Sequence, residues 1–335
     1  MKTSAHALYG SPKREISVIL PVLNEAAYLE DALGAILKQD FDGVTEIVVA
    51  VGPSKDSTLE VAHAMAKKNP QIVVVDNPTG RTAAGLNIAL SASKYGVIVR
   101  VDGHTQIPAN YLSMAFEILL QTGAVNVGGV MAAEGRNLFE SSVARAMRSP
   151  LGVGAAKFHV GGQAGESDTV YLGSFRREAL LAIGGFDEKF TRAQDWELNH
   201  RLRKAGGVVY FDPRLIVSYR PRPTLRALAK QYFEYGRWRR VVARSHPGTI
   251  NVRYLVPPFT VVGTIISLVL GSIVSPIFFT PALIYIFFIV IASGLIAHSI
   301  LEAIRLPIIL LTMHMSWGLG FLTSPKSLLD NFEDQ

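Results

Sequence analysis

Between Arg253 and Glu302 lie 48 consecutive residues without one Asp, Glu, Lys or Arg. A hydrocarbon core takes about 20 apolar residues per helix, so this block has length for two spans and a tight turn. It divides at Ser275-Pro276, which predicts spans at about 255–274 and 277–298, with a third at about 306–322 after Glu302 and Arg305. The third is shorter and carries His314 and Trp317, so a helix lying in the interface competes with a crossing there. A wholly soluble protein is excluded. The length of chain ahead of the block excludes a simple membrane peptide.

The formal charge of +6 and the pI near 9.4 come from one place. Residues 1–219 hold 22 basic and 22 acidic side chains, whereas residues 220–253 hold nine basic groups against Glu234 alone. A basic block that abuts an uncharged apolar one suits a cytoplasmic membrane surface better than nucleic acid. Three crossings would carry the acidic end of the chain (Asp330, Glu333, Asp334) to the other side. With no cysteine there are no disulfides and no thiolate metal sites. The opening MKTSAHALYGSPKRE lacks an apolar run of signal-peptide length, so the front of the chain is expected in the cytoplasm. The expected division is a catalytic domain over 1–219, a basic interface helix region over 220–253, a membrane domain over 254–323 and an acidic tail over 324–335.

Residues 15–130 alternate short Val/Ile runs (16–20, 47–51, 72–75, 97–101) with Ala/Leu-rich helical stretches (26–38, 58–68, 82–93). That order predicts an α/β fold with a doubly wound, mostly parallel sheet. Ligands bind beyond the carboxyl ends of such strands. Four polar features stand there: Pro21-Val22-Leu23-Asn24-Glu25, Gly52-Pro53-Ser54-Lys55-Asp56-Ser57-Thr58, Asn77-Pro78-Thr79-Gly80-Arg81 leading to Gly85-Leu86-Asn87, and Asp102-Gly103-His104. Each alone reads as a helix cap or turn. Together they make a polar rim. Two residues apart on an extended segment, Asp102 and His104 point to the same side. A carboxylate with an imidazole suits Mn²⁺ or Mg²⁺, with diphosphate oxygens completing the shell; a strand-end turn with an exposed histidine is the alternative. Five glycines over 151–167 predict a mobile loop.

Helical periodicity returns at 195–205, stopped by Gly206-Gly207, and at 225–243, an amphipathic stretch with Arg226, Lys230, Arg237, Arg240 and Arg244 on one side. Gln231, Glu234 and Trp238 fall at i, i+3 and i+7 on one face.

The segments PVLNEAAYL, GPSKDST, NPTGRTAAGLN, RVDGHT, GGFDE and QDWELNHRLRKAG, in that order, resemble the family 2 glycosyltransferases, inverting enzymes of GT-A fold that use nucleotide-diphospho-sugars. RVDGHT, QYFEYGRW and TMHMSWGLGF look like the bacterial succinoglycan-biosynthesis (ExoA-like) members, which extend a lipid-linked oligosaccharide. The resemblance implies donor contacts at Pro21, Asn24, Glu25, Gly52, Asp56, Arg81, Asn87 and Asp102, with Asp102 and His104 where the family carries its metal-binding DxD motif. It implies Asp195 as the catalytic base; capping its own helix is the other role open to it. Glu197 is the implied neighbour on the acceptor side. QYFEYGRW resembles a stretched QxxRW motif, which assigns Gln231, Arg237, Trp238 and, beside them, Arg240 to the acceptor or its diphosphate; an interface anchor is the bland alternative. Two departures stand out. The family's Asp after the second strand is missing before Asp56, so uridine is only the default base, and the usual Glu-Asp pair is Gln194-Asp195.

The implied function is transfer from a nucleotide sugar, UDP by default, to a polyprenyl-diphosphate-linked acceptor by a multi-pass inner-membrane enzyme with its catalytic domain cytoplasmic. A divalent cation is the implied cofactor, membrane lipids are partners and nucleic acid is not. The rivals are a processive polysaccharide synthase and a non-catalytic nucleotide-binding membrane scaffold.

Overall fold

The computed structural model describes residues 10–329. Residues 1–9 and the acidic end, with Asp330, Glu333 and Asp334, lie outside the described residues.

The chain begins as β1 (Glu15–Val22), α1 (Leu29–Leu37), β2 (Val44–Val51), α2 (Thr58–Lys68), β3 (Ile72–Asp76), α3 (Thr82–Ala92) and β4 (Val97–Arg100). It continues as α4 (Tyr111–Thr122), β5 (Asn126–Ala133), α5 (Leu138–Met147), α6 (Pro150–Val153), α7 (Lys157–Val160), β6 (Gly165–Glu166), β7 (Tyr171–Arg176), α8 (Arg177–Ala182), α9 (Gln194–Lys204) and β8 (Val209–Tyr219). Four long helices close it: α10 (Leu225–Ser245), α11 (Val252–Ile273), α12 (Thr280–Ile296) after a 3₁₀ turn at Pro276–Phe279, and α13 (Ile300–Thr323).

The eight strands form one sheet in the order β3-β2-β1-β4-β7-β5-β8-β6. The β3-β2-β1-β4 half is parallel, as the alternating pattern predicts, and β7 then pairs antiparallel with both β4 and β5. Both faces of the parallel half are covered. Ile16, Val18, Leu20 and Val22 of β1 pack toward α1, α2 and α4, while Ile19 joins the layer made by α3, α8 and α9. Burial on both faces is why these strands read as continuous apolar runs.

The described residues divide into two compact units. One runs to Ala132 and resumes over Gly161–Ser218; the other comprises Ala133–Val160 and the chain from Tyr219 onward. Residues 133–160 therefore belong with the C-terminal helices, where the pattern of the sequence grouped them with the sheet. The glycine-rich 151–167 stretch is also more ordered than expected. It contains α6, α7 and the short β6, and Gly154, Gly161 and Gly162 supply positive-φ positions between them.

Within the second unit, three helices are long and apolar enough to cross a membrane: Val252–Ile273, Pro276–Ile296 and Ile300–Thr323. The third is longer than the sequence suggested. Ser299 caps it, its Oγ accepting from Glu302 N at 3.2 Å, and the helix absorbs Arg305 and Pro307. Helix α10 lies against α13 so closely that a Cβ on Gly236 would overlap the Trp317 carbonyl oxygen, and one on Gly320 the Phe233 carbonyl oxygen. Reciprocal glycines of this kind let two backbones meet.

Candidate active site

The parallel strands end together, and their following loops are tied to one another. Asn24 takes a left-handed φ of 56°, which asparagine tolerates better than most side chains. Its Oδ1 accepts from Lys55 N at 2.7 Å, and its own N–H donates to Ser54 Oγ at 3.0 Å. Glu25 N donates to Thr58 Oγ1 and Ala26 N to Asp56 Oδ2. These bonds tie residues 24–26 to the second loop, and α1 starts at Leu29, later than the apolar pattern suggests, after a turn closed on Glu25 O. Gly52 is required where three loops converge: a Cβ there would lie 2.9 Å from Gly80 Cα. Pro21 sits under α3, 3.0 Å from where a Cβ on Gly85 would stand.

Asp56 braces this rim. It accepts from Thr58 Oγ1 and Thr58 N as well as from Ala26, and the Thr58 hydroxyl leads the effects that hold its carboxyl below the ordinary value. Asn87 is spent on structure too. It bonds Phe186 N and O and the Glu188 carboxylate, pinning the GGFDE loop to α3. Arg81 stands at the N-cap position of α3, half-buried.

Asp102-Gly103-His104 is not extended. Thr105 N donates to Asp102 O at 2.9 Å, closing a turn after β4. The turn leans on the first loop: a Cβ on Gly103 would meet Val22 Cγ1 at 2.7 Å and Glu25 Cγ at 3.2 Å. His104 Nδ1 lies 2.8 Å from Glu25 Oε1. Among the described residues no group of three or more His, Asp or Glu side chains converges to hold a metal. The turn removes the extended-strand reason for placing Asp102 and His104 on one side; what remains is their donor types, a carboxylate oxygen and an imidazole nitrogen, each able to ligate a divalent transition ion.

Arg100, the last residue of β4, joins these parts. Its Nε and Nη2 donate to Asp102 Oδ1 at 3.0 and 2.9 Å, and its Nη1 donates to Asp195 Oδ1. The arginine is buried, whereas the Asp195 side chain keeps 37% of its exposure and is reachable from solvent. Burial alone would lower the Arg100 pKa, but Asp102 and Asp195 outweigh it and hold the guanidinium firmly charged. Burial pushes the Asp195 carboxyl above its ordinary value, against the pull of Arg100. A carboxyl with a raised pKa is a stronger base when ionised. Asp195 is the second residue of α9, which Ala193 enters with a left-handed φ of 59°.

Arg100 was not among the site residues read from the sequence. The signal was a lone cation ending the buried run Val-Ile-Val, two residues before Asp102. Glu197 is placed differently from expectation. It is buried, both its oxygens are taken by Arg201, and Arg201 ties it to the Ile183 carbonyl; it holds α9 in place and does not line the rim.

In the second unit, Gln231 and Trp238 are buried, so Trp238 is packed inside the unit and is not an interface anchor. Gln231 Nε2 donates to the hydroxyls of Tyr219 and Tyr235, each at 2.8 Å. Arg237 pairs with Glu234 at 2.9 Å, and Arg240 lies over the Phe321 ring at 4.9 Å.

The sequence model of Glycosyl transferase family 2 matches residues 17–184, from β1 to the GGFDE loop. Among curated relatives, the succinoglycan biosynthesis protein ExoA of Rhizobium meliloti is 29% identical over 93% of this chain and 94% of its own. A dolichyl N-acetyl-α-D-glucosaminyl phosphate 3-β-D-2,3-diacetamido-2,3-dideoxy-β-D-glucuronosyltransferase of Methanococcus voltae is 25% identical over 91% of this chain and 95% of its own. The mannosyltransferase PcManGT of Pyrobaculum calidifontis, solved with GDP-Man and Mn²⁺, has the same fold, with a TM-score of 0.59 at 19% identity over 97% of this chain and 90% of its own. With its GT-A-like α/β sheet followed by three apolar helices, the chain belongs to glycosyl transferase family 2 and is a glycosyltransferase.

Proposed function

We propose that the protein is an inverting enzyme that moves a sugar from a nucleotide-diphospho-sugar, UDP by default, to a polyprenyl-diphosphate-linked acceptor at the cytoplasmic face of the inner membrane. The observation that carries this reading is the line of side chains at the strand ends, in which Arg100 links Asp102, the donor-side carboxylate, to Asp195, a half-buried carboxylate that solvent still reaches. An acceptor hydroxyl attacks the anomeric carbon from the face opposite the diphosphate. The bond from that carbon to the diphosphate oxygen breaks, and the hydroxyl proton passes to Asp195. Arg100 already occupies Asp195 Oδ1, which leaves Oδ2 to receive the proton. Asp102 and His104 would hold the divalent cation, whose charge offsets that of the departing diphosphate. Asn24, Glu25, Gly52 and Asp56 shape the nucleotide side of the rim by tying its loops together, with Pro21, Arg81 and Asn87 beside them. On the acceptor side we assign Arg237 and Arg240 to the lipid diphosphate, with Gln231 and Trp238 holding their helix in place; Glu197 acts only through the position of α9. The GDP-Man and Mn²⁺ held by the Pyrobaculum mannosyltransferase, and the dolichyl N-acetylglucosaminyl phosphate in the name of the Methanococcus enzyme, are consistent with this reading.

The test is incorporation of label from a panel of UDP- and GDP-sugars into organic-extractable lipid by membranes containing the full chain. The reading predicts one sugar added per acceptor. A ladder of products would mark a processive synthase, and no label from any donor, with no nucleotide released, would leave only the scaffold.

A further inference from the structure

A charged residue is costly in the interior unless it is paired. Arg100 ends a strand in which Val97, Ile98 and Val99 are fully buried, and it is itself 5% exposed. One carboxylate would satisfy it. It has two, 93 positions apart in sequence, at the end of β4 and the start of α9. A guanidinium is a planar, rigid fork, and groups bound to its different edges are fixed in direction relative to each other. The Nε/Nη2 edge takes Asp102 and Nη1 takes Asp195, in both cases through Oδ1. Each aspartate therefore turns its other oxygen away from the fork. The two carboxylates repel one another, Asp102 adding to the rise in the Asp195 pKa, and Arg100 is the cation between them.

We infer that Arg100 is a positioning residue for transfer: its guanidinium sets the separation and facing of the donor-side carboxylate Asp102 and the proton-accepting carboxylate Asp195. The inference rests on the base assignment given above. Misplacement of reacting groups by about 1 Å can cost on the order of 10² in rate, so the geometry of the fork should matter beyond its charge. Lysine keeps the charge, but its ammonium is a compact point charge with three rotatable donors on a flexible stem, so it does not fix the directions of the two carboxylates.

The experiment compares the full-length protein with Arg100→Lys, Arg100→Gln, Asp195→Asn and the Arg100→Lys/Asp195→Asn double variant. The donor is the nucleotide sugar that labels lipid in the extraction assay, and binding is read by calorimetry with UDP and Mn²⁺. Arg100→Lys should lower kcat about 10–100-fold, with donor KM and UDP–Mn²⁺ binding changed less than about 3-fold. In the Asp195→Asn background the same substitution should cost less than about 2-fold, because the amide at 195 can no longer take the proton that the geometry serves. Should Arg100→Gln fail to fold, the lysine variant and the cycle carry the test. Parental kcat in Arg100→Lys, or a full multiplicative loss in the double variant, overturns the positioning role. Parental turnover in Asp195→Asn instead refutes the base assignment, and the inference with it. A drop in UDP–Mn²⁺ binding that accounts for the whole loss in Arg100→Lys also overturns it, since the arginine would then serve donor binding alone.

Discussion

Replacing Gly236 by alanine should destabilise the helical unit, although alanine is the better helix former. In an open helix position the exchange stabilises by about 1 kcal/mol. At Gly236 the new methyl would stand 2.8 Å from Phe321 N and 2.9 Å from Trp317 C, and would overlap the Trp317 carbonyl oxygen itself. These atoms are backbone of α13 and cannot rotate aside, so the two helices must move apart by more than half an ångström. Overpacking of this kind costs about 1–3 kcal/mol, and a clash with main chain falls at the upper end, leaving a net loss of about 2 kcal/mol. Gly263 supplies the control: it lies within α11 with nothing within 4 Å of its Cβ position. Thermal unfolding of the full chain in one detergent should therefore show Gly236→Ala melting below the parent and Gly263→Ala at or above it. Because Gly320 meets Phe233 at the same crossing, Gly236→Ala and Gly320→Ala should not add. Gly236→Ala melting with or above Gly263→Ala would refute the close approach of α10 and α13.

Chelation should abolish transfer and Mn²⁺ or Mg²⁺ should restore it, with Asp102→Ala losing UDP–Mn²⁺ binding by calorimetry; full activity in excess chelator would sink the Asp102/His104 assignment. Arg220 bonds the buried Glu140 and is the first cause of its lowered pKa. A lowered folded pKa gives stability that is present above the ordinary carboxylate value and lost as pH falls through the folded one. The acid unfolding of Arg220→Gln should thus begin at higher pH than in the parent, and coincident acid transitions would contradict this. Arg237→Gln/Arg240→Gln should weaken use of a lipid-linked acceptor while Mn²⁺-dependent donor hydrolysis survives, as measured by nucleotide release with and without lipid extract.

Regular elements were legible in the sequence where the period was long and clean. The periodicity expected for 58–68 coincides with α2, and the apolar runs at 16–20 and 97–101 sit inside or against β1 and β4. The boundary errors have local causes. The helical pattern is expected from 26, whereas the helix begins at Leu29 after a turn in which Tyr28 N and Leu29 N both donate to Glu25 O. Asp102 and His104 read as extended because the strand pattern runs into them, whereas Gly103 allows the turn that brings the segment against Glu25. At the site, the polar rim was visible because each feature follows a strand. What could not be read was the division of labour within it. Asn87 and Glu197 are identical in type to ligand-binding residues, and only the fold reveals that their polar atoms are spent on Phe186 and Arg201. Arg100 was hidden for the converse reason, since its two partners are local in one case and 95 residues distant in the other.

The central claim is that Asp195 takes the acceptor's proton, and Asp195→Asn tests it most directly. The amide is nearly isosteric and still accepts a bond from Arg100, but it cannot take up a proton at the reacting pH. Turnover measured in membranes should fall about 10²–10⁴-fold, as for removal of a general base, while UDP–Mn²⁺ binding to the purified chain stays within about 3-fold of the parent. Parental turnover in this variant would contradict the account and leave Asp195 as a residue that merely stands in the first turn of α9.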